Sequence, residues 1–255
     1  MAFVTAAGGN RVAYDVTGDG EVDLLLVHGI TENRRFWDPL LDDFAARYRV
    51  IRVDLPGHGE SDPADDYSLA RLAADVGAVL DEVGRGEPYA VGHSLGGYVV
   101  SILAAQRPTR AVVNVDQVLA LAAFKEQLAA VEEMLRGEAF AAVMGGLFDQ
   151  LMGPLGEEER ARITPMRTPK QDVVLSIWDP IFTLTVEEID ALVRELLGGI
   201  AAPYLSLHGT EAGPDYVAWL RSVIPQAEYE VWADHGHYPH LMDPERFVER
   251  IAAFA

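Results

Sequence analysis

The chain has no cysteine among its 255 residues. That excludes disulfide cross-links and a thiolate nucleophile. No apolar run reaches ~18 residues, so no membrane-spanning helix is expected. The first residues, Met1 to Thr5, lack a basic stretch followed by an apolar core. A secretory signal is therefore not expected, and the cytoplasm is the default compartment. Bases are scarce: 20 Lys and Arg stand against 40 Asp and Glu, for a net charge of −20. A field of that sign repels nucleic acid and anionic membranes, and it weighs weakly against polyanionic substrates. Its plainest role is solubility. No internal repeat or low-complexity tract interrupts the chain.

What is present is ordinary for a globular protein, with 49% hydrophobic and 24% charged residues. The length suits one α/β domain with a large core, with room for an inserted lid. The apolar run from Asp23 to His28 reads as a strand buried on both faces of a parallel sheet. Further strands are expected at 49–53, 88–93, 111–115, 203–207 and 228–232, behind an N-terminal pair at 3–5 and 11–16. Helical spacing covers 34–48, 68–83, 95–106, 214–223 and 244–254, with Ser68 as a cap. From Gln117 to about Ile200 the alternation stops and the pattern is helical. These patterns predict an α/β fold: a doubly wound, mostly parallel, eight-stranded sheet built from residues 1–116 and 201–255. The helical block at 117–200 would be inserted over the carboxyl ends of the strands.

The stretch Val91-Gly92-His93-Ser94-Leu95-Gly96-Gly97 reads G-x-S-x-G-G between a strand and a helix. Ser94 would sit on a turn too sharp for side chains two residues to either side, and glycines remove them. Such a turn lifts the hydroxyl clear of the sheet. It also aims the first amides of the next helix at whatever the hydroxyl attacks.

A serine hydroxyl is a poor nucleophile until a base takes its proton, and that base needs an orienting acid. Of the seven histidines, His93 adjoins Ser94, but neighbours on a tight turn point apart; local bonding or packing is expected of it. His28 and His208 precede glycines at strand ends, and His58 lies in a loop full of breakers. His237, in Asp234-His235-Gly236-His237-Tyr238-Pro239-His240, follows the last strand at the sheet edge where open α/β folds bind ligands. It is the expected base, with His235 as the lesser choice. The spacing His235-x-His237-x-x-His240 could be read as a metal cluster, but a zinc site wants three or four ligands with outer support, and His237 has a better-supported role as base. No metal and no organic cofactor is expected.

On these residues the chain resembles the α/β-hydrolase superfamily along nearly its whole length. His28-Gly29, Asp54-Leu55-Pro56-Gly57-His58-Gly59-Glu60-Ser61, Gly92 to Gly97 and Gly236-His237 occur in that family's order. The resemblance implies Ser94 as nucleophile and His237 as base. It implies an oxyanion hole from the backbone N–H groups of Ile30 and Leu95, and structural roles for Asp54, His58 and Gly59. Most members carry the acid after the seventh strand, three residues beyond a glycine, where this chain has Ala212. A minority carry it after the sixth, where Asp116 ends the run Val113-Asn114-Val115. Asp116 is the expected acid, with Glu211 and Asp215 as alternatives.

The block at 117–200 resembles a helical cap. Most of its apolar side chains must pack cap helices together, but Phe148, Trp178 and Phe182, with His28 from the core, are expected to line an apolar cleft. Gly145-Gly146 and Gly198-Gly199 are expected as bends or hinges, or equally as turns. The implied activity is a serine hydrolase, of carboxylesterase or lactonase type, cleaving an ester or lactone of a small apolar substrate. The alternatives are C–C or amide cleavage, or a lyase step, on the same residues, or a ligand-binding receptor of this fold. The expected partner is that small molecule, with no nucleic acid or membrane, and the chain is expected to be a monomer or homodimer.

Overall fold

The computed structural model describes residues 1–254. Strands β1 (Ala2–Thr5) and β2 (Arg11–Thr17) pair antiparallel, and β2 pairs antiparallel with β4 (Arg49–Val53). Between them come β3 (Asp23–Val27), a 3-10 turn at Arg34–Leu40 and α1 (Leu41–Ala45). Helix α2 (Leu69–Val83), β5 (Tyr89–His93), α3 (Leu95–Gln106) and β6 (Ala111–Val115) follow. Six helices then come in succession: α4 (Ala122–Ala129), α5 (Glu132–Arg136), α6 (Phe140–Met152), α7 (Glu157–Ile163), α8 (Gln171–Thr183) and α9 (Val186–Leu197). The chain returns through β7 (Tyr204–His208), α10 (Pro214–Val223), β8 (Ala227–Val231), α11 (Pro239–Met242) and α12 (Pro244–Phe254). The sheet order is β1-β2-β4-β3-β5-β6-β7-β8, parallel from β4 to β8.

Period-two alternation divides the core into two layers. Leu25 and Val27 of β3 pack with Val76 of α2 and Val99 of α3 on one face. Leu24 and Leu26 pack with Phe44, Phe247 and Ile251 on the other. Both faces of β3, β5 and β6 are covered, which explains their near-continuous apolar sequences. Asp23, buried at the start of β3, takes Arg49 Nη1 at 2.7 Å and the Arg85 amide at 2.6 Å. A buried charge is tolerated when paired in this way.

The helix expected over 34–48 is broken. Pro39 lies inside the 3-10 turn and has no N–H to carry an α-helical ladder, so the regular helix spans only Leu41–Ala45. Gly145 and Gly146 lie inside α6 rather than at a turn. Gly198 caps α9, and Gly199 takes φ +92° in the turn beyond it. No helix among the described residues is long and apolar enough to cross a membrane.

Candidate active site

Six loops leave the carboxyl edge of the sheet, after β3 to β8, and each holds a residue the sequence singled out. In the turn from β5 to α3, Ser94 adopts φ 51°, ψ −123°. Its amide donates to the Val115 carbonyl at 2.9 Å, which anchors the turn on the neighbouring strand. A Cβ on Gly92 would come 2.0 Å from the Gly96 carbonyl oxygen, and one on Gly96 would come 2.2 Å from that of Val27. Backbone occupies both places, so only glycine fits. The Leu95 amide opens α3 and has no acceptor within the helix.

Asp116, one residue past β6, also has positive φ, at 54°. Its Oδ1 accepts from the Gly209 amide at 2.8 Å, and its Oδ2 lies 2.6 Å from His237 Nδ1. Burial alone would raise this carboxyl. The hydrogen bond and charge of His237, with His208 and the Gly209 amide, outweigh burial and hold it below the usual carboxylate range. His208 stands 3.7 Å from Asp116 Oδ1. Burial pushes its imidazole down to about 4, against the pull of Asp116.

His237 follows β8 in a loop turned by Asp234 (φ 65°) and Gly236 (φ 60°). Its side chain is 15% exposed and that of Asp116 is 11% exposed, so the pair is shielded yet reachable. Ser94, His237, Asp116, Ile30 and Leu95 share the wall of one cavity of about 530 Å³. The Ser94 hydroxyl makes no hydrogen bond to the His237 ring among the described residues; both open onto that cavity. Contacts of this kind are commonly long until a ligand is bound.

Helices α6 and α8 supply Phe148 and Trp178 to the cavity. Phe182 is not in the wall; its ring lies 4.9 Å from the Arg136 guanidinium carbon. His28 is not in the wall either. It is fully buried, with Nδ1 2.7 Å from the Gly29 carbonyl and Nε2 accepting from the Leu55 amide at 3.0 Å. Both nitrogens are spent on backbone, so its role is to brace two loops. Glu211 and Asp215 are exposed, and neither bonds His237. His235 turns back to the Ala233 carbonyl at 2.9 Å. His240 is buried with its ring centroid 4.8 Å from that of Trp37. Asp54 is buried and accepts from the amides of Arg34 at 2.7 Å and Glu60 at 3.0 Å, which ties its loop together.

His93 packs, as expected, against the rings of His237, Tyr238 and His240, but its hydrogen bonds are not local. It bridges Glu32 and the His237 carbonyl, 61 and 144 residues away in sequence. Glu32, Arg167 and Tyr238 also reach the cavity wall. None of the three stands out in the sequence. Glu32 follows His28-Gly29 and Tyr238 follows His237, and that adjacency is the one signal available.

The α/β hydrolase family profile matches residues 24–250. A pimeloyl-[acyl-carrier protein] methyl ester esterase from Aeromonas hydrophila is 30% identical over 249 residues, covering 91% of this chain and 94% of that protein. The enzyme of the same name from Pectobacterium carotovorum is 29% identical, covering 95% and 97%. A solved structure of an enzyme that degrades N-acyl homoserine lactones superposes with a TM-score of 0.81 at 26% identity, with all of both chains covered. With a matching profile over most of its length, this chain belongs to the alpha/beta hydrolase family and is a hydrolase.

Proposed function

We propose that the chain hydrolyses a carboxylic ester or lactone of a small apolar substrate through an acyl-enzyme on Ser94. The observation that carries this reading is the 2.6 Å contact between His237 Nδ1 and Asp116 Oδ2, beside a cavity that also holds Ser94. Asp116 fixes the ring so that Nε2 is free to act as base. As Ser94 Oγ attacks the carbonyl carbon, His237 takes its proton. The carbonyl oxygen becomes an oxyanion against the amides of Leu95 and Ile30. His237 then protonates the leaving alkoxide. A water, deprotonated by the same ring, attacks the acyl carbon and releases the acid and Ser94.

The insertion, residues 117–200, acts as the cap of this site. Its contribution to the wall is apolar, with Phe124, Phe148, Trp178 and Ile181 among the lining residues. A cavity of about 530 Å³ lies within the roughly 300–1,000 Å³ typical of small-molecule sites. This favours an acyl chain or ring over a highly charged group. Lactone opening and ester cleavage use the same steps and differ only in whether the alcohol stays attached.

The test is turnover of aryl esters and lactones of graded acyl length. Ser94→Ala is expected to lower kcat by about 10⁴-fold or more, and a fluorophosphonate is expected to add to the peptide containing Ser94. Undiminished turnover by Ser94→Ala overturns the reading.

A further inference from the structure

The loops around the cavity meet at a carboxylate that the proposed reaction does not use. Glu32 is 2% exposed. Its Oε2 accepts from the Gly29 amide at 2.8 Å and faces His93 Nδ1 at 3.2 Å. Its Oε1 accepts from the Tyr238 hydroxyl at 3.0 Å and lies 3.5 Å from Arg167 Nη2. Arg167 also donates to the Tyr238 hydroxyl. Burial alone would raise the Glu32 carboxyl, but His93 and then Arg167 outweigh it and hold the group well below the usual range.

Each partner stands next to a group with a role in the reaction. Gly29 precedes Ile30, His93 precedes Ser94, and Tyr238 follows His237. His93 closes the ring, with Nε2 2.9 Å from the His237 carbonyl oxygen. Arg167 belongs to the insertion, and its neighbours stitch the insertion to the same loop. The Thr168 amide donates to the Thr31 carbonyl at 3.0 Å, and Asn33 Nδ2 donates to the Met166 carbonyl at 3.0 Å. Thr31 itself holds φ 64°, so the loop carrying Ile30 is kept in a conformation that side-chain residues rarely adopt.

We infer that Glu32 is a positioning residue, whose ionised carboxylate sets the Ile30 amide and the loops of Ser94 and His237 at the mutual distances the transition state requires. This rests on the reading of Ser94 as nucleophile. Arg167 makes the setting depend on the insertion, so docking the insertion and aligning the oxyanion amide are one event. Displacement of a reacting group by about 1 Å can cost about 100-fold in rate without much effect on ground-state binding. The signature of Glu32 is therefore a loss in kcat rather than in KM.

The experiment is Glu32→Gln in the full chain, with an aryl ester as substrate. The amide has the size of the carboxylate, but whichever oxygen its NH₂ replaces already faces two donors. We expect kcat to fall about 30- to 100-fold, with KM within about twofold. A trifluoromethyl ketone, which adds to a serine hydroxyl to give an oxyanion, should lose affinity by the same factor. An alkyl alcohol, which mimics only the leaving group, should bind as before. Glu32→Asp should recover part of kcat, because the charge remains. If Glu32→Gln does not fold, Tyr238→Phe deletes one donor and keeps the ring; it should lower kcat about 3- to 10-fold with the same split. The inference is overturned if folded Glu32→Gln, or failing that folded Tyr238→Phe, keeps kcat within twofold, or if ketone and alcohol affinities fall together. Ser94→Ala separates the two readings. If it keeps turnover, the acyl-enzyme reading fails; if it is inactive while the Glu32 variant is fully active, only the positioning role fails.

Discussion

In the loops at the carboxyl edge of the sheet, four residues other than glycine hold positive φ: Thr31, Ser94, Asp116 and Asp234. In the proposed insertion, the helices from Ala122 to Leu197 between β6 and β7, no described residue other than glycine does. The glycines divide in the same way. Cβ atoms at Gly92, Gly96 and Gly209 would come within 2.2 Å of backbone oxygens. At Gly145, Gly146 and Gly156 a Cβ would meet nothing within 4 Å. The core loops are held by backbone bonds and strain that the surrounding sheet over-determines. The insertion is held by side-chain packing, which tolerates re-cutting as long as volume is kept.

The sharpest way to break that comparison is to touch the proposed acid, Asp116. Asp116→Asn leaves the loop intact but lets the His237 ring take the wrong tautomer, and it is expected to lower kcat about 10⁴-fold. Glu211→Gln and Asp215→Asn, both at exposed positions, should stay near wild type. A full-rate Asp116→Asn would mean that the positive-φ loop after β6 is not a catalytic one. The next effect is on folding. Gly96→Ala places a methyl group 2.2 Å from the Val27 carbonyl oxygen. It should cost about 4 kcal/mol or more, which soluble expression and urea unfolding would reveal. A stable Gly96→Ala protein would show that the turn has slack it is not built to have.

Much of the core was legible because its signals are local. Burial on both faces wrote itself into the central strands as short continuous apolar runs, and the crowded glycines at 92 and 96 mark a turn that needs no partner to be recognised. Asp116 was within reach because the family resemblance allows an acid after the sixth strand and this residue stands at that strand's tip. Residues set by three-dimensional neighbours were not legible. Glu32 draws on positions 29, 93, 167 and 238, and no spacing connects them. His28 and Phe182 have the composition of a pocket lining, but orientation decides the matter: the His28 ring turns to Leu55 backbone, and Phe182 turns under Arg136. The break at Pro39 was in plain sight, and apolar periodicity across 34–48 outweighed it.

Acid should separate the two regions more gently. All seven histidines lie outside residues 117–200. Burial pushes His28 and His240 down, His58 down to about 3 and His208 down to about 4. The unfolded chain takes up these protons near pH ~6.5, and the fold resists them until well below that. Stability from these groups is therefore complete above pH ~6.5 and drains away as pH falls toward their folded values. The melting temperature should be flat from pH 8 to 7 and then decline steadily to pH 4.5. His58→Asn should flatten the decline. A melting temperature unchanged between pH 7 and 5 would mean that the buried rings of the core are wetter than their contacts imply.

The smallest effect comes from the insertion. Gly145 and Gly146 sit exposed in the middle of α6, with φ in the ordinary helical range and open space where a Cβ would go. Glycine in a helix interior is less stable than alanine by roughly 0.5–1 kcal/mol, because it gives up more backbone freedom on folding. Gly145→Ala and Gly146→Ala should each raise the melting temperature by about 1–4 °C. Neither residue is in the cavity wall, so kcat should hold on a short aryl ester. A gain in stability with a loss in kcat would give these glycines the hinge role that their place inside an unbroken helix argues against. A loss in stability would show that the insertion is packed as tightly as the core loops, and the contrast between the two regions would fail where it was expected to be widest.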